Sequence, residues 1–398
     1  MQLKSQVLKI YQRVVNNFCY IHIPFCSSKC KYCRFASFWV LDKLKINLYV
    51  KYLLKEIREK ETDFKNLKSV YFGWWTPSIL DNEQLSSIIN ELKSKYLFDN
   101  DIEINIEATP NTISKSNIIK WKKIWINRIS MWVQTLNNTS LIEIWRGNKW
   151  DIISALDIIK SFVLNSSTNT SLTSLKREEI NVSIDFIIWL PYVKKWEIKK
   201  DIEFILSNYY FIKHISVYML EEYYDVPDSK NSKFENIIYP NNWNKIWIKD
   251  EDYLSEYIEI SNLLKNNWFY KYEISNFAKK WYECRHNQAY WNHSNILAFW
   301  LWAHWFVNNE RYSNSEEFIE YYSWKNIVKE KLNMQDLFFE KVMFQLRTNW
   351  LEKNIIKNLN LIKIEEFINW WYLKKESDKI ILSDKWVLVL DYILKEIL

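Results

Sequence analysis

Glycine is almost absent: the 398 residues include 2 glycines beside 23 tryptophans. An ordinary chain is about 7% glycine, so tight turns and close backbone approaches lack the residue that usually makes them. No apolar run approaches the 18 or so residues needed to span a bilayer, and no transmembrane segment is expected. The N-terminus lacks the charged-then-apolar pattern of a secretory leader, and the five cysteines are an odd number. These features favour metal chemistry over a disulfide framework, in a reducing compartment, and a cytoplasmic protein is expected. The net charge of +6 is modest and spread among Lys-, Asn- and Ile-rich segments, so it reads as a solvated surface and no nucleic acid is expected as a partner.

What is present is concentrated in cysteine and aromatic motifs. Cys26, Cys30 and Cys33 form a C-x3-C-x2-C run directly after the apolar stretch 19–25. That spacing lets one loop wrap three thiolates around a cubic iron–sulfur cluster, leaving one iron without a cysteine. Zinc, which wants four protein ligands, and three buried thiols without metal are the alternatives; no second cysteine pair follows to complete a zinc site.

The run from Tyr20 to Ser37 resembles the radical S-adenosylmethionine (radical SAM) superfamily, in the branch shared by oxygen-independent coproporphyrinogen III dehydrogenase and the heme chaperone HemW. The resemblance implies a [4Fe-4S] cluster whose open iron is chelated by the amino and carboxylate groups of SAM, and whose electron cleaves SAM to a 5'-deoxyadenosyl radical. It implies SAM contacts at Tyr20, Tyr32, the turn Gly73, Trp74, Trp75 and Thr76, and at Glu107, Gln134, Arg146 and Asp185. Cys33 is followed by Arg34 and Phe35, as in the HemW type, where the dehydrogenase pattern continues Cys-x-Cys. The string from Cys284 to Trp291 fits the HNxxYW haem-binding signature. His286 is then the implied axial haem ligand, with Asn287, Tyr290 and Trp291 beside the macrocycle. Cys284 is an alternative haem ligand or a buried structural thiol. His22, His214 and His304 are expected to orient the site; His293 has no assigned role, and Asn148 stands where the family usually has His. The implied partners are haem acceptor proteins, respiratory haem enzymes among them, and an electron donor for the cluster. The enzyme alternative is radical decarboxylation of coproporphyrinogen III; a third reading is a degenerate scaffold that binds no cluster.

The same resemblance locates the missing glycines. Family glycines fall at Trp74, Trp75, Trp125, Trp132, Trp145, Trp189, Trp268, Trp281, Trp300, Trp302, Trp350 and Trp386, whereas Trp291 falls where the family itself has Trp. The source is therefore expected to read the codon UGA as glycine, with this chain translated as if UGA meant tryptophan.

Strand candidates 19–24, 69–72, 102–107, 128–133, 182–188 and 214–220 alternate with helix candidates 47–61, 83–93, 112–123, 152–164 and 196–206. This is the pattern of a parallel α/β sheet, and the resemblance implies a partial (β/α)6 radical SAM barrel. Stretches 165–174 and 225–244 read as loop and insertion. The expected organisation is an N-terminal extension (1–17), the core barrel (18–250), an extension carrying the haem motif (251–325), and a small helical or winged-helix-like domain (326–398) placed over the barrel mouth.

Overall fold

The computed structural model describes residues 16–26, 30–33, 38–39, 42–167, 180–220, 250–315, 318–323, 327–348, 350–384 and 389–398. Period-two patterning builds its centre. The strands are β1 (Asn17–Ile23), β2 (Asn66–Trp74), β3 (Leu97–Ala108), β4 (Arg128–Gln134), β5 (Asn181–Ile188) and β6 (Ile212–Met219). One row of side chains is apolar: Ile21, Val70, Phe72, Ile104, Ile106, Ile129, Met131, Phe186 and Ile215 are fully buried. The alternate row is polar, with Ser69, Glu103, Asn105, Glu107, Arg128, Ser130, Ser183, Asp185, His214 and Ser216. Neighbouring side chains on a strand point to opposite faces, so one face packs helices and the other lines a polar interior. Parallel pairing sets Ser69 beside Glu103, Asn105 beside Arg128, Ser130 beside Ser183 and Asp185 beside Ser216.

Helices Lys43–Glu59, Asn82–Lys95, Lys115–Lys123, Lys149–Ser167 and Glu197–Asn208 follow successive strands. Leu53, Ile57, Leu85, Ile88, Leu92, Ile202 and Ile205 bury their apolar stripes. Side-chain caps start them. Asp81 and Gln84 form a capping box, and Asp42 and Ser114 accept from Leu44 N and Asn117 N. These caps move two expected starts: the first helix begins at Lys43, earlier than the apolar periodicity suggests, and the third at Lys115, after the Pro110–Thr112 turn. The expected loop 165–174 is helical through Ser167, and its remainder, like the insertion 225–244, lies outside the described residues.

The sheet extends beyond the six expected strands. Asn295–Phe299 pairs in parallel with β1 and is followed by antiparallel His304–Val307, Glu310–Ser313 and Val328–Lys331. Asn276–Ala278 and Tyr270–Glu273 complete the other side, giving twelve strands with two open edges and hence a partial barrel. All five residues of Asn295–Phe299 are buried, so this strand carries no alternation for periodicity to detect. The C-terminal region contains helices Met334–Thr348, Leu361–Asn369 and Leu390–Ile397 and one hairpin, Leu373–Glu376 with Lys379–Leu382. Expected over the barrel mouth, the tail instead sends Met334–Thr348 along Arg285–Trp291, where Phe344 meets Trp291 at 5.5 Å and His293 at 4.7 Å between ring centres. No helix among the described residues is long and apolar enough to cross a membrane.

The backbone answers the glycine deficit directly. Sixteen described non-glycine residues have positive φ, and ten of them are tryptophans. Bulky residues at positive φ are outliers; Asn and Asp ordinarily dominate this region. Four helices end in a Schellman motif with tryptophan at its left-handed position. Trp125 N and Ile126 N donate to Lys122 O and Trp121 O, and the same pair of bonds recurs at Trp145, Trp268 and Trp371. Each such indole costs about 1–2 kcal/mol of strain, so ten of them rival a whole domain stability of about 5–15 kcal/mol.

Candidate functional site

The cysteine run leaves β1 at the carboxyl end of the sheet, where α/β barrels bind ligands. Cys26 and Cys30 are buried and Cys33 is partly exposed. Cys26 Sγ lies 3.2 Å from Thr76 Oγ1, and Thr76 N donates to Phe25 O, tying the loop to the turn after β2. Cys33 N donates to Cys30 O, Lys31 N to Ile144 O, and Lys31 pairs with Glu143. Among the described residues no three His, Cys, Asp or Glu side chains converge as they would on a single ion. Zinc draws its donors to about 2.3 Å of one point, whereas a cube spreads three thiolates over three irons. Three cysteines on one loop, two buried and one partly exposed, are the donor type that iron–sulfur clusters use.

The remaining expected SAM residues meet around this loop. The Tyr32 phenol donates to Gln134 Oε1 and accepts from Arg146 Nε and Nη2 at 3.1 and 2.9 Å. Asp185 accepts from Gln134 Nε2 at 2.9 Å and from Val133 N at 2.8 Å. Glu107 accepts from the Tyr71 phenol at 2.7 Å and from Trp74 N at 2.9 Å. Gly73 needs its missing Cβ: one built there would sit 2.6 Å from Tyr71 Cε1 and 3.0 Å from Tyr20 Cε2. Burial pushes the Glu107 carboxyl up to about 7 against its bonds to Tyr71 and Trp74 N. Burial likewise lifts Asp185 to about 6, opposed first by the charge of Arg146. Burial works against the Arg146 charge, but Cys30 and Tyr32 outweigh it and hold the guanidinium firmly protonated. Asn148, by contrast, is a helix cap, accepting from Trp150 N at 2.9 Å.

These carboxyls make stability pH-dependent. A buried acid whose folded pKa exceeds its unfolded value takes up a proton on folding, so its contribution is greatest at low pH and is lost as pH rises. For Glu107 the fall runs from about 4.5 to about 7. Glu107→Gln is expected to flatten that decline by about 1–3 kcal/mol, seen by comparing urea midpoints at pH 5 and pH 8.

The indoles do not fit a cofactor here. Trp74, at φ 99°, puts its ring 4.6 Å from that of His22, and Trp302 stands 6.4 Å from the same imidazole. The Arg146 guanidinium lies 4.5 Å over the Trp132 ring. Trp75 is only 2% exposed. Bare backbone at this turn could approach a methionyl group; the Trp74 and Trp302 indoles crowd that approach beside His22.

The haem motif lies toward the amino ends of the same strands, on helix Arg285–Trp291. His286 is 1% exposed. Its Nδ1 is 2.9 Å from Ser69 Oγ, its ring stacks 4.9 Å from Tyr71, and its Nε2 is buried with no hydrogen-bond partner. Burial lowers its pKa to about 3, so the imidazole is neutral, and in the tautomer whose Nδ1–H donates to Ser69 Oγ, Nε2 holds an unused lone pair. Haem ligation asks for this state. Tyr20 and Tyr290 flank it at 6.1 and 5.4 Å. Asn287 reaches Tyr272, and Arg347 lies over the Trp291 ring. The Cys284 thiol is buried and its pKa is pushed up by burial. His22 and His214 are buried neutral imidazoles, His304 is exposed, and His293 bonds Glu340 at 2.8 Å.

Sequence reading misses what seats this helix. Glu103 Oε1 accepts from His286 N at 3.3 Å and lies 3.5 Å from Cys284 Sγ. Glu103 Oε2 pairs with Arg128 Nε at 2.9 Å, and Arg128 also donates to Tyr282 O, Glu283 O and Ser183 Oγ. The available signal was the polar row at alternate strand positions, which points Glu103 and Arg128 into the same interior as Glu107 and Asp185.

A family model described as the Radical SAM superfamily matches residues 20–205. The heme chaperone HemW of Buchnera aphidicola subsp. Schizaphis graminum is 30% identical over 382 residues, which cover 90% of this chain and 92% of that protein. The chain belongs to the HemW branch of the radical SAM superfamily. The Bacillus subtilis heme chaperone HemW is 28% identical over 302 residues, covering 74% and 72% of the two chains. Among solved structures, coproporphyrinogen III oxidase (HemN) from Escherichia coli superposes with a TM-score of 0.75 at 17% identity, over 99% of this chain and 92% of that one. That likeness establishes the shared fold of HemW-branch and HemN chains.

Proposed function

We propose that this HemW-branch protein is a cytoplasmic heme chaperone, which carries a [4Fe-4S] cluster on Cys26, Cys30 and Cys33, binds SAM beside it, and delivers haem held by His286 to acceptor haem proteins. The observation that carries the haem assignment is His286 itself: a neutral buried imidazole, fixed through Nδ1 by Ser69, with Nε2 unpartnered. The near full-length likeness to a heme chaperone supports the same reading. Tyr290 and Trp291 would pack the macrocycle. When bound, the cluster would supply one iron free of protein thiolate for the SAM amino and carboxylate groups, with Glu107, Asp185 and Arg146 setting the charge around it. Respiratory haem enzymes are the proposed acceptors, and a separate electron donor would serve the cluster.

In His286→Ala, haem affinity in a Soret titration is expected to fall more than about tenfold, while charge-transfer absorption after anaerobic iron and sulfide reconstitution is unchanged. Unaltered haem affinity would defeat the axial-ligand assignment. Efficient turnover of coproporphyrinogen III by the reconstituted protein would replace the chaperone reading with the enzymatic one.

A further inference from the structure

We infer that Trp74, Trp125, Trp145, Trp189, Trp196, Trp268, Trp281, Trp300, Trp302 and Trp371 stand where the natural protein has glycine, and that the cofactor pocket beside the cysteine loop is open only in that glycine form. Two observations converge. Resemblance to relatives marks twelve tryptophans; positive φ in the backbone marks ten, and eight of these coincide. The backbone adds Trp196 and Trp371. Trp196 is the left-handed residue opening Glu197–Asn208 and offers no side-chain cap. Trp371 fills the left-handed position of a Schellman motif, and Trp281 the third position of the turn from Lys279 to Tyr282, where a type II turn calls for glycine.

Three of the side chains behave as additions rather than as parts. Trp268, Trp281 and Trp371 are 73%, 82% and 73% exposed, a poor use of the largest apolar residue. Trp291 behaves differently: it lies within a helix at ordinary φ, between Phe344 and Arg347. The geometry therefore sorts the tryptophans into two groups, as two different codons written as one residue would. For the pocket, removing the Trp74 and Trp302 indoles would clear the space beside His22, between the cysteine loop and Glu107. That part rests on the proposed SAM role; the residue assignment does not.

Peptide mass spectrometry of the protein isolated from its source decides the assignment. Glycine is expected at the ten positions and tryptophan at Trp291; tryptophan at Trp268, Trp281 or Trp371 in natural peptides would overturn it. Equilibrium dialysis with SAM, after anaerobic cluster reconstitution, tests the pocket. Binding is expected in the chain carrying glycine at all ten sites and lost in the chain as written. Equal binding by both would overturn the pocket claim. A glycine chain that assembles the cluster yet ignores SAM would overturn the SAM reading, while the peptide masses still decide residue identity.

Discussion

Glycine in place of Trp268, Trp281 and Trp371 is expected to stabilise the chain by up to about 1.5 kcal/mol at each site, about 1–2 kcal/mol of strain relieved less about 0.4–1 kcal/mol for the freer unfolded chain, read as a higher urea midpoint with little change in slope. The three residues lie in different surface segments and all have positive φ, so their effects should add to as much as about 4.5 kcal/mol. Little packing is lost in exchange, because each indole is at least 73% exposed. The sign is unusual: ordinarily glycine destabilises by freeing the unfolded chain. Here relief of backbone strain outweighs that loss. Trp121→Gly provides the contrast. Trp121 is 1% exposed inside Lys115–Lys123, and its replacement should cost at least about 3–5 kcal/mol through the cavity left behind, with about 1 kcal/mol more for glycine within a helix. If exposed and buried substitutions shift the midpoint in the same direction, the strain argument fails.

Glu103→Gln is expected to cost about 3–5 kcal/mol, the penalty for stranding a buried charge. Arg128 is 1% exposed, and the Glu103 charge keeps its guanidinium protonated against the cost of burial. The substitution should also loosen the first turn of Arg285–Trp291, because Glu103 receives His286 N. Haem affinity should fall with stability, while cluster absorption persists in the folded fraction. Converting Glu103 and Arg128 together to methionine separates the two effects. Removing both charges should recover much of the stability, whereas Tyr282 O and Glu283 O lose their donor and haem binding stays weak. Recovery of haem affinity in the double variant would show that the pair contributes stability alone.

Much of this architecture was legible beforehand. The central strands carry period-two patterning, and the cysteine loop, Thr76, Glu107 and Gln134 sit at strand ends where chemistry collects, so periodicity and motif agreed there. Arg146 was legible only through resemblance, and the structure joins it to Tyr32. The strand Asn295–Phe299 was hidden because burial on both faces erases alternation. The seat of His286 was hidden for another reason: Ser69, Glu103 and Arg128 lie 217, 183 and 158 residues away in sequence, and only the sheet register brings them together. Helix ends were obscured because their usual marker, glycine, is written as tryptophan. The tail was misplaced because its docking depends on side-chain contacts such as His293 with Glu340, which no local pattern announces.

The stacked pair His286 and Tyr71, with the Tyr71 phenol bonded to Glu107, joins the two ends of the barrel by direct contact. A macrocycle reaching Nε2 must displace rings that now enclose the imidazole, and Tyr71 is one of them. Any turn of that phenol strips Glu107 of a donor and alters its attraction for a nearby cation. The two ligands would then report on each other, and linkage makes the exchange symmetric: whatever factor haem imposes on sulfonium affinity, the sulfonium must return to haem.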